Sequence, residues 1–148
     1  MSDVTVSLKW TDGLSFSGVN AGGHEIIFDG ERRSGASPVE ILLEALGACT
    51  AIDVKMILEK MQTPATRLEV ILDGDRNNAE PRYFRAVRVR FDVWGEGISS
   101  DKLARAIKLS FDKYCSVYHS LRSDLQVSKE YRIHRPESEA VGEYLLVE

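Results

Sequence analysis

Residues 37–49 read SPVEILLEALGAC, and this stretch begins the longest predicted helix in the chain. Ser37 can cap the helix, Pro38 suits the first helical position, and Glu40 lies three residues after the cap, which completes a capping box. Because a helix usually ends before the next proline, the sequence predicts one helix over Pro38–Met61. At a rise of 1.5 Å per residue, this helix is about 36 Å long.

The predicted helix carries few charges on any side. From Val39 to Ile52 the charged side chains are Glu40 and Glu44, and apolar residues cover nearly the whole circumference. A helix that is apolar all round is buried on all sides. One sheet of a domain this small covers only one side of it, so a second copy of the chain is expected to cover the rest. The pattern therefore predicts a homodimer with both long helices in a shared centre.

The residues before and after this helix alternate in the manner of strands. Three short runs lie between residues 4 and 28, separated by turns at 11–13 and 22–23, which predicts a three-stranded antiparallel start. Two longer strands are predicted after the helix, at Arg67–Asp75 and Phe84–Trp94.

The rest of the chain adds a second helix and closing strands. Ser100 suits the cap of a helix that begins at Asp101 and leads to Cys115. The remaining predicted elements are a short helical segment after Ser116 and strands near Val127–His134 and Glu143–Val147. This order of elements predicts a single α+β domain, residues 1–148, with antiparallel sheet.

Composition argues against several classes of protein. The 148 residues are 43% hydrophobic, which is typical of globular chains, and no run approaches the roughly eighteen apolar residues of a membrane span. The N-terminus has no basic region followed by an apolar stretch, so we expect a cytoplasmic protein with no membrane partner. The net charge of −4 gives no reason to expect nucleic acid, and the arginines of residues 82–90 are typical of a solvated strand face.

Two cysteines, Cys49 and Cys115, are the residues best suited to chemistry. In a cytosolic chain they do not form a disulfide framework of the extracellular kind, so they are either small core residues or redox groups. Cys49 lies about three turns from the start of its helix, so the helix dipole does not lower its pKa and a cation must come from elsewhere. The nearest cations in sequence are Arg32 and Arg33, on the loop that enters the helix.

The first helix and the second cysteine together carry a family resemblance. Residues 37–49 follow the pattern S-P-x-E-x-L-L-x-A-x-G-x-C, and Tyr114-Cys115-Ser116-Val117 follows with its cysteine 66 residues after the first. This arrangement resembles the OsmC/Ohr family of thiol-dependent hydroperoxide reductases. The resemblance spans nearly the whole chain and looks closest to the YhfA-like branch, in which Ile52-Asp53-Val54 is also typical.

The resemblance implies an intertwined homodimer in which antiparallel sheets wrap two long central helices, with a cysteine pair at the subunit interface. Carried over to this chain, Cys49 is the peroxidatic thiol that attacks an organic hydroperoxide, or another small apolar substrate, and Cys115 resolves the product as a disulfide. An external dithiol, of the lipoyl type in related proteins, then reduces the disulfide, so no bound cofactor is expected. The implied enzyme is a peroxiredoxin-like antioxidant protein of the oxidative stress response.

The chain departs from the family pattern in two places. Family peroxidases have a Glu directly after the helix-entry proline and an Arg in the N-terminal hairpin, whereas here Val39 follows Pro38 and no arginine precedes Arg32. Glu40 lies about 100° further round the helix, where the capping box competes with any catalytic role. Ser116-Val117-Tyr118 stands where the family often has a proline and an aromatic residue. These differences bear on peroxidase efficiency and leave the fold prediction intact.

Two functional interpretations stay open at this point. The first is an enzyme that works through Cys49 and Cys115. Its supporting candidates are Arg32, Arg33, Glu40 and His119. The second is a non-enzymatic dimer that binds a small molecule or lipid and whose thiols are spectators or redox sensors. The histidines and cysteines show no paired ligand spacing, so no metal site is expected.

Overall fold

The structure is a computed structural model that describes residues 2–135 and 142–148. Over these residues, seven strands and three α-helices follow the predicted order, which confirms the α+β class. The chain forms two compact units, Met1–Glu44 and Ala45–Glu148. The assignment of residues 1–148 to a single domain stays a prediction.

The first unit contains a three-stranded antiparallel sheet, as predicted. Its strands are β1 (Val6–Asp12), β2 (Ser15–Asn20) and β3 (Glu25–Asp29), in that order across the sheet. Gly18 on the central strand leaves room for the Phe28 ring, because a Cβ at this position would lie 2.8 Å from Phe28 Cε1. A side chain at position 18 would therefore displace that ring.

Helix α1 (Pro38–Lys60) starts with the predicted capping box. The Ser37 N–H and Oγ–H both donate to Glu40 Oε1, at 3.0 and 2.8 Å. At the other end, Gln62 has a left-handed φ of 61°, and the Thr63 N–H donates to the Leu58 carbonyl at 3.0 Å. This is a Schellman motif, so the chain leaves the helix within one residue of the predicted end.

The buried side of α1 is a single stripe. Its buried residues are Leu46, Gly47, Thr50, Val54 and Leu58. Gly47 allows the strand that carries Leu72 to approach closely, because a Cβ there would lie 2.5 Å from Leu72 Cδ1. Ile52 is 58% and Met56 50% exposed, so the chain by itself covers only one side of the helix, as predicted for a single copy; burial of the other side by a second copy stays a prediction. Within the described residues, no helix has both the length and the apolar character needed to cross a membrane.

The second unit contains a four-stranded mixed sheet. Its strands lie in the order β4 (Arg67–Arg76), β5 (Phe84–Trp94), β6 (Gln126–His134) and β7 (Leu145–Leu146). The prediction of wholly antiparallel sheet is wrong at the β5–β6 pair, which is parallel from Ala86↔Gln126 to Trp94↔His134. The chain makes a helical crossover after β5 and returns to the same end of the sheet, which parallel pairing requires. Strand β7 is shorter than predicted, since it pairs only with Glu130 and Tyr131.

The crossover between β5 and β6 carries the second half of the candidate site. Helix α2 (Ser100–Leu109) is capped by Ser99 rather than the predicted Ser100, because Ser99 has the extended backbone of a cap and its Oγ accepts the Lys102 N–H at 3.2 Å. The helix continues into a π-helical turn (Ser110–Tyr114), and the short helix α3 (Ser116–His119) confirms the helical segment predicted after Ser116. Cys115 lies at the junction of the last two.

Candidate functional site

The structure brings the two cysteines together within the second unit. Both are free thiols, and the side chain of Cys49 lies close enough to that of Cys115 to raise the pKa of Cys115. Cys49 comes from the middle of α1 and is half-buried, whereas Cys115 is fully buried. Ile52 and Met56, three and seven residues after Cys49 and so on the same face of the helix, are exposed. One thiol of the pair is therefore accessible and the other is enclosed.

The π-helical turn holds the backbone of Cys115. The Cys115 N–H donates to the Ser110 carbonyl at 2.7 Å, five residues back, and its Sγ accepts the Tyr118 N–H at 3.4 Å. Single π-helical turns occur frequently at functional sites. Here the π-helical turn adds one residue to the end of α2. Cys115, the residue that follows this turn, faces α1.

The surroundings of Cys115 favour its neutral form. Burial raises the pKa of the Cys115 thiol to about 11; the Tyr118 backbone N–H opposes this rise, and the neighbouring Cys49 and the charge of Asp53 reinforce it.

A chain of hydroxyl groups adjoins the cysteines and was not predicted as a site. Ser110 Oγ donates to Asp53 Oδ2 at 2.8 Å and lies 2.9 Å from Thr50 Oγ1. Thr50 directly follows Cys49, and Asp53 lies one turn further along the same helix. Asp53 could have been found from its spacing of four residues from the cysteine. Ser110 could not, because its contact with α1 depends on how α2 packs.

The candidates Arg32, Arg33 and Glu40 lie in the first unit. Arg32 Nε is 3.8 Å from Glu40 Oε1, and Arg33 Nε is 3.4 Å from Glu31 Oε2; both arginine side chains are largely exposed. The backbone N–H of Ser37, followed by its hydroxyl, lowers the pKa of Glu40 below its usual value. These contacts assign Glu40 to the helix cap. Activation of Cys49 by either arginine stays a prediction.

His119 lies at the end of α3 with an exposed side chain. Its backbone N–H donates to the Cys115 carbonyl at 3.1 Å, and its ring packs edge-on against the Tyr118 ring. The structure thus connects His119 to the site through its backbone, and the predicted role of its ring as a base or cation stays a prediction. In residues 2–135 and 142–148, no group of three or more metal-binding side chains is clustered.

Comparison with known proteins shows which protein family this chain resembles in sequence. Residues 29–130 match the family described as OsmC-like protein. Protein YhfA from Escherichia coli (strain K12) is 39% identical over 127 residues, which cover 85% of this chain and 95% of that protein.

Solved structures show the same fold. A hypothetical protein from Aquifex aeolicus VF5 superposes with a TM-score of 0.83 at 26% identity, covering 93% of this chain and 100% of that one. An organic hydroperoxide resistance protein OsmC from Legionella pneumophila superposes with a TM-score of 0.66, covering 88% of this chain and 97% of that one. At 9% identity, the second likeness concerns the fold alone.

Proposed function

This chain belongs to the OsmC-like protein family, and we propose that it is a thiol-dependent peroxidase that reduces organic hydroperoxides through Cys49 and Cys115. The observation that carries the proposal is that two free thiols of unequal burial are neighbours in the structure. The name of the Legionella relative, an organic hydroperoxide resistance protein, gives the substrate class. We place this activity in the cytoplasm, where a dithiol donor keeps the pair reduced.

The reaction begins at Cys49, which is the more accessible of the pair. Its thiolate attacks the terminal oxygen of ROOH, so an S–O bond forms, the O–O bond breaks, and the alkoxide takes a proton and leaves as ROH. The cysteine is oxidised by two electrons to sulfenic acid, and the peroxide is reduced.

Cys115 then completes the cycle from its buried position. Its sulfur attacks the Cys49 sulfenic acid, an S–S bond forms, and the leaving hydroxide combines with the Cys115 proton as water. An external dithiol, of the lipoyl type, reduces this disulfide by exchange and is itself oxidised to a disulfide. The cycle needs no bound metal or organic cofactor.

We also propose that the working form is a homodimer. The exposed apolar side chains of α1 and of the first sheet support this assembly, because monomers rarely leave so many large apolar groups in water. They are Leu42, Ile52 and Met56 on the helix and Val6, Leu8, Trp10 and Ile26 on the strands. A second copy of the chain is the occupant that would cover both surfaces.

A second candidate function is a small-molecule-binding or redox-sensing dimer without turnover. It is favoured by an apolar groove of about 170 Å³ on the first sheet. The groove is lined by strand side chains that include Val6, Leu8, Val19, Ile26 and Phe28. Under this alternative, the groove holds an apolar ligand and the thiols react once or not at all.

A turnover assay with cumene hydroperoxide and dihydrolipoamide separates the two functions. We expect many turnovers for the wild type, loss of at least about a hundredfold in Cys49→Ser, and a Cys49–Cys115 link by peptide mapping after peroxide alone. Ser116→Ala, an exposed change beside the second cysteine, serves as the control and should keep full activity. If peroxide leaves both wild-type thiols intact, the peroxidase proposal is wrong and the binding function replaces it.

A further inference from the structure

A cross-link of hydroxyl groups joins helix α1 to the π-helical turn that follows α2. Ser110 Oγ donates to Asp53 Oδ2 at 2.8 Å and lies 2.9 Å from Thr50 Oγ1. Because the single hydroxyl proton of Ser110 goes to Asp53, Thr50 is the donor of the second bond. Thr50 and Ser110 are both fully buried. Ser110 is therefore bound through one oxygen to two residues of α1 that lie about one helical turn apart.

The cross-link lies among apolar residues on both segments. The nearest buried side chains along the chain are Leu46 and Val54 on α1, and Ala106, Ile107 and Phe111 on the crossover. Apolar contacts are non-directional, so they permit small shifts of one segment along another. A hydrogen bond restricts both a distance and an angle. The cross-link is therefore the contact that fixes the register of the π-helical turn on α1.

The same two segments carry the cysteines. Cys49 directly precedes Thr50 on α1, and the Cys115 N–H donates to the Ser110 carbonyl at 2.7 Å. Ser110 thus bonds through its side chain to the part of α1 that follows Cys49, and through its backbone to Cys115 itself. A shift of Cys115 along α1 would have to break one of these bonds.

We propose that Ser110 is a positioning residue that sets the register in which Cys49 and Cys115 form their disulfide. The proposal rests on the proposed function, in which this disulfide is an intermediate. A disulfide needs Cα atoms within roughly 7 Å and a dihedral angle about the S–S bond of about 90°. A shift of about 1 Å between the two segments therefore makes the bond harder to form.

The test is the equilibrium between the reduced protein and its disulfide in glutathione buffers, with each form quantified by thiol trapping and peptide mapping. The two protein thiols lose two electrons and two protons, and glutathione disulfide takes both and leaves as two thiols. Ser110→Ala removes the side-chain bonds and keeps the backbone bond to Cys115. We expect the equilibrium constant for disulfide formation to fall at least about tenfold, which makes the reduction potential about 30 mV less negative.

Ser99→Ala is the matched control for a general loss of helix stability. It removes the cap of α2, where Ser99 Oγ accepts the Lys102 N–H at 3.2 Å, and it leaves the cross-link intact. This variant should unfold at lower urea concentration than the wild type and keep the wild-type equilibrium constant.

Asp53→Ala removes the acceptor from the other end of the bond and replaces Ser110→Ala as the test if that variant does not fold. If both residues act through one bond, the double variant loses no more than either single variant. An unchanged or larger equilibrium constant in a single variant, or additive losses in the double variant, overturns the role of Ser110. None of these measurements uses peroxide, so the expected losses in a protein without turnover contradict the proposed function and not this inference.

Discussion

At the scale of single residues, the two cysteines carry the same thiol group but lie in different surroundings. Cys49 is half-buried on α1, and Cys115 is enclosed between the π-helical turn and α3. Because the thiolate is the reactive form, a thiol whose pKa burial raises to about 11 is almost wholly unreactive at neutral pH. In the proposed reaction, this asymmetry would let Cys49 attack first and Cys115 react second.

The asymmetry predicts selective alkylation. At pH 7.5 iodoacetamide should modify Cys49 at least about a hundredfold faster than Cys115, since little of Cys115 is thiolate and reagent cannot reach it. Peptide mapping over time measures both rates, and the urea-unfolded protein is the control in which the two rates should converge. Comparable rates in the folded protein would contradict the assignment of Cys49 as nucleophile.

At the scale of elements, the loop before α1 is held by a carboxylate. Asp29 accepts backbone N–H groups from Ser34, Glu31 and Arg33 at 2.8–3.0 Å. Chiefly the N–H of Ser34, and then that of Glu31, hold the pKa of Asp29 far below its usual range. The charged form of Asp29 therefore organises the loop that carries the two arginines into the helix start.

This carboxylate predicts a pH-dependent contribution to stability. The folded pKa is lowered, so the stabilisation is complete above the unfolded value of about 4 and is lost as pH falls towards the folded value. Asp29→Asn should be less stable than the wild type at pH 6, and the gap in the free energy of unfolding should narrow steadily as pH falls from about 4 to 2. Urea unfolding at several pH values measures the gap. A gap independent of pH would show that the charge has no role.

At the scale of the whole molecule, a single copy of the chain does not explain why large apolar side chains are exposed. Trp10 and Ile52 are 64% and 58% exposed, although both are large and apolar. Burial of such side chains contributes about 1.5–3 kcal/mol each, so their exposure would cost much of the stability of a small protein. The proposed homodimer would remove this cost by burying these side chains against a second copy of the chain.

The homodimer predicts a clear response to a charge on α1. Ile52→Glu should convert the assembly at micromolar concentration to monomer or aggregate, because a buried carboxylate without a partner is strongly unfavourable. Lys55→Gln lowers the net charge by the same amount at an exposed position and should keep the dimer. Sedimentation equilibrium distinguishes these states. A wild-type protein that sediments as a stably folded monomer would rule out the assembly.

The sequence by itself determined the features that depend on neighbours along the chain. The capping box of Ser37 and Glu40 needs only a spacing of three residues, and the alternation of β5 needs only a period of two. The cysteine pair was also predicted, but only through the family resemblance, because spacing cannot show that residues 66 positions apart meet.

Tertiary structure alone decided the features that depend on packing. The parallel pairing of β5 with β6 follows from where the crossover returns, which is a property of the path and not of either strand. The contact of Ser110 with Asp53 requires the π-helical turn at the end of α2 and its packing on α1. Cys115 is buried for the same reason, and its burial is the first cause of its raised pKa. The two cysteines were thus identifiable in sequence, whereas the burial of Cys115 and the contacts of Ser110 came from the packing of distant segments, because burial and contact depend on distances in space.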